Sequence, residues 1–378
     1  MAALTEEQTL IRDQAKSWVS EQFPVGKFRA LRDAGGELGY SPEAWSAMVE
    51  MGWTGILVPE AHGGSNLGYL TFGVILEELG RQLTASPLLV SALAGASAVL
   101  LGGSDAQKDA WLPKIVDGSE ILTLAVDEGP RHMPEKTALE ARRSGSGFVL
   151  NGSKHFVLEG MAATAFVVAA RSSGAPGDSH GISLFLDPAS SDGITRTSLK
   201  TVDSRGYADL SLDSVSVAES ALLGTVDGGF PLLDAILDRA RAGLAAEMLG
   251  TSARAFDMTL EYLKTREQFG QVIGSFQALG HRAAGLYSGM ELARSCAEAA
   301  LQAIDAGADN VAELSSLAKC KVGDHLHLMS NEMIQMHGGI GMTDEFDAGL
   351  YLKRARALEA TYGNQGFHRE RYARLLGY

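Results

Sequence analysis

The chain has 378 residues, 46% of them hydrophobic, enough to bury a real core and, at roughly 100–200 residues per domain, to build two or three domains. Its 32 Lys and Arg residues face 46 Asp and Glu, a net charge of −14. That balance argues against general nucleic-acid binding, which needs cations to neutralise phosphates, and leaves only a local basic site for a small anion.

Residues 1–8 are acidic and polar, without the basic and apolar regions of a signal peptide. Thr5-Glu6-Glu7-Gln8 reads as a capping box, and Leu10, Ile11, Ala15, Trp18 and Val19 follow at helical spacing. Ser41-Pro42-Glu43 offers an N-cap with proline at the first helical position, and Gly52 closes that helix. A loop at residues 57–64 precedes helical stretches at 71–81 and 86–101. The span 83–101 contains Pro87, serines and a glycine, so it fits a buried helix better than a membrane crossing.

From about Glu120 the hydrophobic period changes to two. Phe148-Val149-Leu150, Asn151-Gly152 and Lys154-His155-Phe156-Val157 predict a hairpin turning at Asn151-Gly152. Strands follow at 166–170 and 182–186, and Leu210, Leu212, Val215 and Val217 predict one more pair of short strands. This is the pattern of a small antiparallel barrel or sandwich. From Gly228 the helical period returns and predicts four long helices at 228–264, 277–304, 311–337 and 347–362, hence a bundle. The two cysteines, Cys296 and Cys320, lie far apart in these helices, which excludes a disulfide scaffold and points to a reducing, cytoplasmic setting. The expected fold is α+β: an α-helical region at 1–118, a β region at 119–224 and a four-helix bundle at 225–378.

Few motifs of general chemistry are present. There is no glycine-rich nucleotide loop and no nucleophile elbow, and His325 and His327 lie on roughly opposite sides of a helix, unsuited to one metal. No metal site is expected. The turn Gln335-Met336-His337-Gly338-Gly339-Ile340-Gly341 is more unusual, because it ends a long helix with glycines where backbone can approach a ligand closely. Arg266-Glu267-Gln268-Phe269-Gly270 ends another helix, with a cation for a phosphate and a ring for stacking, or simply as an exposed helix end.

These segments, with Val58-Pro59-Glu60, Gly63-Gly64, Leu150-Asn151-Gly152-Ser153-Lys154 and Ser275-Phe276-Gln277-Ala278, resemble the acyl-CoA dehydrogenases over nearly the whole chain, and most of all bacterial members acting on steroid side chains and other branched or cyclic acids. The resemblance implies FAD, an acyl-CoA substrate, an electron-transfer flavoprotein or similar acceptor, and either a homo-oligomer or a heterotetramer with a related subunit. It assigns Arg266, Gln268, Phe269, Gln277, Gln335, Gly338 and Gly339 to FAD, shared between neighbouring subunits.

The resemblance also implies a carboxylate that removes the substrate α-proton while hydride leaves the β-carbon. Its usual place, directly after a Tyr near the C-terminus, is here Tyr362-Gly363-Asn364, so the base is missing; the resemblance leaves the Gly363 N–H for the thioester oxygen and counts Gly363 and Asn364 among the cofactor-binding residues. The family's second location precedes an Arg matched by Arg241, and it holds Ala240. Glu247, two turns along that helix face, is the candidate for a relocated base, or else an ion-pair partner of an arginine such as Arg254. Asp238 is a weaker candidate, expected as an exposed partner of Arg241. The run Val126-Asp127-Glu128 keeps only the Glu of the family's middle motif, Phe156-Val157-Leu158 replaces its Trp-Ile-Thr, and Arg131, Lys136, Arg142 and Arg143 are candidates for the CoA phosphates. Three functions follow: a dehydrogenase using Glu247, a base-less subunit of a heteromeric dehydrogenase, or another flavin reaction on this fold.

Overall fold

The computed structural model describes residues 4–378, so the first three residues of the polar N-terminal stretch lie outside the described residues. The chain divides into two compact units. One holds the described residues up to Ala30, Tyr69–Thr84 and Arg241–Tyr378; the other holds Leu31–Gly68 and Ala85–Ala240.

Local signals place the first helices. Thr5 caps α1 (Glu6–Gln22), accepting the Gln8 N–H at 3.1 Å, while Gln8 Oε1 accepts the Thr5 N–H at 3.0 Å. Helix α2 (Val25–Ala34) follows Pro24, and Ser41 Oγ caps α3 (Pro42–Glu50). Helix α4 (Gly68–Arg81) is buried on most of its surface. The helical stretch expected at 86–101 begins as a π-helix, Leu88–Gly95, before continuing as α5 (Ala96–Gly102). Helix α6 (Asp105–Val116) starts from a second capping box, Ser104 with Gln107, which the sequence reading passed over.

The β region is a sheet of eight strands: β1 (Leu122–Ala125), β2 (Glu140–Ser144), β3 (Gly147–Leu158), β4 (Ala165–Arg171), β5 (Ile182–Pro188), β6 (Ile194–Leu199), β7 (Tyr207–Ala218) and β8 (Leu222–Leu223). Its order is β6-β7-β3-β2-β4-β5-β8, with β1 beside β4. The path stays open instead of closing into a barrel, and β1 and β2 each pair with β4 in parallel while the other pairs are antiparallel. One face buries Phe148, Leu150, Phe166, Val168, Phe185, Leu210 and Val215, with Phe148 and Phe185 ring centroids 5.1 Å apart.

Two expectations fail at one place. Asn151-Gly152 is not a hairpin turn; it lies inside β3, and the chain reverses at residues 145–146 instead. The expected pair of short strands at 210–217 is the single strand β7. The register between β3 and β7 shifts from Leu150↔Val215 to Gly152↔Leu212, a β-bulge. Asn151 Oδ1 accepts the Ser214 N–H at 2.8 Å, satisfying the donor that the bulge removes from the ladder.

The bundle comprises α7 (Gly229–Thr265), a hairpin of β9 (Glu267–Gln268) and β10 (Gln271–Val272), α8 (Gln277–Asp305), α9 (Val311–His337) and α10 (Ala348–Ala360). A fifth helix, α11 (Gln365–Leu375), follows the four expected, capped by Asn364. No described helix is long and apolar enough to cross a membrane.

Candidate active site

Five candidate residues converge. Arg266 and Gln268, from the hairpin after α7, and Gln335, Gly338 and Gly339, from the end of α9, line one cleft of about 530 Å³ with Tyr262, Ile273 and His337. The hairpin turns at Phe269 and Gly270, both at positive φ, which leaves Phe269 90% exposed. Its ring meets the Phe276 ring edge-on, with centroids 6.2 Å apart, and leaves most of its hydrophobic surface uncovered. Helix α9 ends at His337, and Gly338 (φ +62°) turns the chain; a Cβ on Gly338 or Gly339 meets nothing within 4 Å, so the backbone there is open to a ligand. Gln277, exposed at the start of α8, does not line this cleft.

His337 was missed although it sits inside the glycine motif. Its ring stacks on Tyr262 at 4.4 Å and lies 4.6 Å from Phe346. Nδ1 donates to Met333 O at 2.7 Å, which leaves Nε2 as the acceptor; Nε2 is buried and has no hydrogen-bond partner. Burial pushes its pKa down, partly opposed by the bond to Met333 O.

Gly363 and Asn364 stand elsewhere, at the corner between α10 and α11. Tyr362 (φ +55°) and Gly363 (φ +105°) are both left-handed. A Cβ on Gly363 would lie 2.5 Å from Phe367 Cδ1 and 2.9 Å from His368 Nε2. The Gly363 N–H donates to Ala360 O at 3.3 Å, and Asn364 Oδ1 accepts the Phe367 N–H at 2.9 Å. Arg241, fully buried, donates from Nε to Tyr362 O at 3.4 Å, with its guanidinium 5.5 Å from the Phe367 ring. Lys319 on α9, unremarked in the sequence, also reaches this corner. Burial pushes its pKa down to about 7, opposed by the Glu359 carboxylate.

Glu247 is buried and pairs with Arg354 at 3.7 Å, not with Arg254, which meets Glu261. Arg354 also donates to Leu83 O and lies over the Phe28 ring at 5.0 Å. At the Glu247 backbone, Gly80 of α4 packs so closely that a Cβ there would strike the Glu247 carbonyl. The expected partner was wrong because Arg354 is remote in sequence and arrives only with the packing of α10. Asp238 is also buried, not exposed, because its stretch of α7 lies inside the core.

In the β unit, Glu128 accepts from Lys154 Nζ at 2.6 Å and from the Ala138 and Leu139 N–H groups at 2.8 and 2.9 Å, so it organises its own loop. His132 Nδ1 lies 2.9 Å from Asp127. A pocket of about 310 Å³ beside them brings Arg131 and Lys136 together. Arg143 instead pairs with Glu219 at 2.8 Å and covers Phe148. Leu158 is buried and Phe156 is 54% exposed. His325 is buried in the bundle and His327 meets Glu359 and Arg356; among the described residues no His, Cys, Asp and Glu cluster could hold a metal.

Around one cleft the chain thus gathers a cation, two amides and open glycine backbone, groups that suit an anionic ligand. Family profiles for the acyl-CoA dehydrogenase N-terminal, middle and C-terminal domains match residues 5–119, 128–215 and 227–377. The chain belongs to the acyl-CoA dehydrogenase family, whose members bind FAD and oxidise acyl-CoA. Acyl-CoA dehydrogenase FadE12 of Mycobacterium tuberculosis is 28% identical over 93% of this chain and 91% of its own. The solved Tcur3481-Tcur3483 steroid ACAD is 29% identical, covers 98% of each chain and has a TM-score of 0.89. The ChsE4-ChsE5 complex from Mycobacterium tuberculosis is 27% identical, covers 100% of this chain and 99% of its own, also at a TM-score of 0.89.

The cleft's donor set fits such a group. Arg266 supplies a cation, Gln268 and Gln335 supply amides, the glycines allow close backbone approach, and His337 Nε2 is a buried acceptor still lacking a donor.

Proposed function

We propose that this chain is the flavin-binding, base-less subunit of a heteromeric acyl-CoA dehydrogenase, and that a related subunit supplies the carboxylate. One observation carries the reading: the position of the family's base is closed to any side chain. A Cβ at residue 363 collides with Phe367 and His368, and the local φ favours glycine. The loss of the base is therefore built into the neighbouring residues as well as into one codon.

Glu247 is the second reading, but its surroundings argue for a structural pair. A base must reach the substrate α-carbon, whereas Glu247 is enclosed by α4 and Arg354 and lines none of the clefts described here. Arg241 acts through the Tyr362 carbonyl and is assigned a positioning role.

FAD, when bound, accepts the hydride from the substrate β-carbon. Arg266 with Gln268 and Gln335 would hold the pyrophosphate, and the exposed Phe269 would meet the dinucleotide of a neighbouring subunit, with Gln277 nearby. Arg131 and Lys136, which share one pocket, would take the CoA phosphates. The matched steroid ACAD and the ChsE4-ChsE5 complex support a bulky or branched acyl group and a two-subunit assembly.

The test is anaerobic flavin bleaching by acyl-CoA, with the chain alone and co-purified with a related base-bearing subunit. Bleaching is expected only in the pair, and Gly363→Glu in the lone chain should gain nothing. A lone chain that bleaches, and loses bleaching as Glu247→Gln, makes Glu247 the base and removes the proposal.

A further inference from the structure

Four helices of one unit, α1, α4, α7 and α8, leave between them a half-enclosed cavity of about 280 Å³, lined by none of the residues assigned to FAD, CoA or the base. Its α7 wall is Ala246 and Leu249. At about 100° per residue Leu249 stands opposite Ala240, so the cavity lies across α7 from the family's second base location. Leu70, Val74 and Leu301 complete an apolar floor. The α4 wall is fixed, because a Cβ on Gly250 would strike the Glu77 carbonyl and one on Gly80 the Glu247 carbonyl. Helices α4 and α7 therefore touch backbone to backbone beside the cavity.

The lining also carries charges of both signs. Glu77 Oε1 accepts from Arg294 Nη1 at 2.7 Å, the two side chains being 18% and 17% exposed. Arg294 Nε faces Glu291 at 3.7 Å, while Arg294 Nη2 and Glu77 Oε2 have no hydrogen-bond partner among the described residues. Arg12 of α1 donates from Nε and Nη2 to its neighbour Asp13, and Glu298 stands one turn along α8 from Arg294. Guanidinium donors and carboxylate acceptors thus share one apolar floor, and charges partly withdrawn from water interact more strongly than exposed ones. An anion alone would lie against Glu77 and Glu298, and a cation alone against the two arginines. A zwitterion meets both, with its aliphatic body on the floor. We propose that this cavity is a binding site for a small aliphatic α-amino acid, its carboxylate held by Arg294 and Arg12 and its ammonium by Glu77 and Glu298. A volume at the low end of ligand pockets suits a molecule of leucine's size. The site is independent of the flavin and base readings.

The test titrates the full chain with L-leucine by calorimetry and maps the site by amide hydrogen exchange. Leucine should bind with a dissociation constant of about 1 mM or below and protect residues 70–77 and 294–301, with 335–340 unchanged. Three probes each lack one feature: 4-methylpentanoate the ammonium, 3-methylbutylamine the carboxylate and glycine the aliphatic body. Each should bind at least about tenfold more weakly than leucine. Arg294→Gln should weaken leucine by at least about tenfold. Arg12→Gln, which leaves the Glu77–Arg294 pair in place, should weaken it in the same direction and serves if Arg294→Gln does not fold. No saturation by about 10 mM leucine, equal binding of the carboxylate or the amine alone, or wild-type leucine affinity in whichever variant folds overturns the proposal.

Discussion

Gly363 is held by two constraints that act on different atoms. Its backbone sits at φ +105°, where a Cβ is strained, and the space a Cβ would take is filled by Phe367 and His368. Strain and overpacking each cost about 1–3 kcal/mol, so Gly363→Ala should destabilise the chain by about 2–6 kcal/mol, read as a lower midpoint in urea with an unchanged slope. A cost below about 1 kcal/mol would show that Phe367 and His368 give way, and that the position is open to a side chain after all. The missing base was legible directly from Tyr362-Gly363, but the reason it cannot be restored was not, because Phe367 and His368 fold back only once α11 exists. Glu247 shows the same limit. Its burial followed from its apolar neighbours, yet its partner Arg354 lies more than a hundred residues away and no spacing rule reaches it.

Elements were most legible where the signal is local. The caps of α1 and α3 and the long period of α7 to α10 came directly from side-chain spacing, whereas Asn151-Gly152 misled because that dipeptide also suits a bulge whose partner, Ser214, is sixty residues on. Within α9, His325 gives that element a dependence on pH. It faces Gly289 of α8, with Nδ1 3.0 Å from where a Cβ there would sit, and its buried Nε2 has no partner. Burial, and secondarily Lys321, push its pKa down to about 4. Below the ordinary value near 6.5 the unfolded chain takes a proton that the folded chain refuses, so stability falls as the solution is acidified from 6.5 toward 4. The loss from this group between pH 7 and pH 5 is about 2 kcal/mol. His325→Leu, which removes an unpaired polar atom, should flatten that limb; an unchanged acid slope in urea unfolding at the two pH values would assign it to other groups.

At the scale of the whole molecule, the α-β-α order and the family were readable because each signal repeats over many residues. Convergence was not, since Arg266 and Gln335 meet in one cleft only when α7 and α9 pack. An acidic chain of charge −14 repels an anionic dinucleotide at long range, so binding depends on the few local cations and amides that reach it. A ligand that binds only the folded state at about 100 times its Kd adds about 2.7 kcal/mol, or roughly 3 °C in a chain of this size. FAD should therefore raise the melting temperature of the assembly by a few degrees in a concentration-dependent way. Removing a charge-assisted contact to phosphate costs about 1.5–3 kcal/mol, so Arg266→Ala should weaken FAD about 10–100-fold and cancel most of that gain at the same FAD concentration. Phe269→Ala tests sharing between subunits. Its ring is 90% exposed and touches its own chain at Phe276, so if it serves a neighbouring subunit its effect on FAD retention should grow with protein concentration, as the assembly forms. A loss that is equal in dilute and concentrated protein would place Phe269 on its own subunit's dinucleotide and make the site complete in one chain.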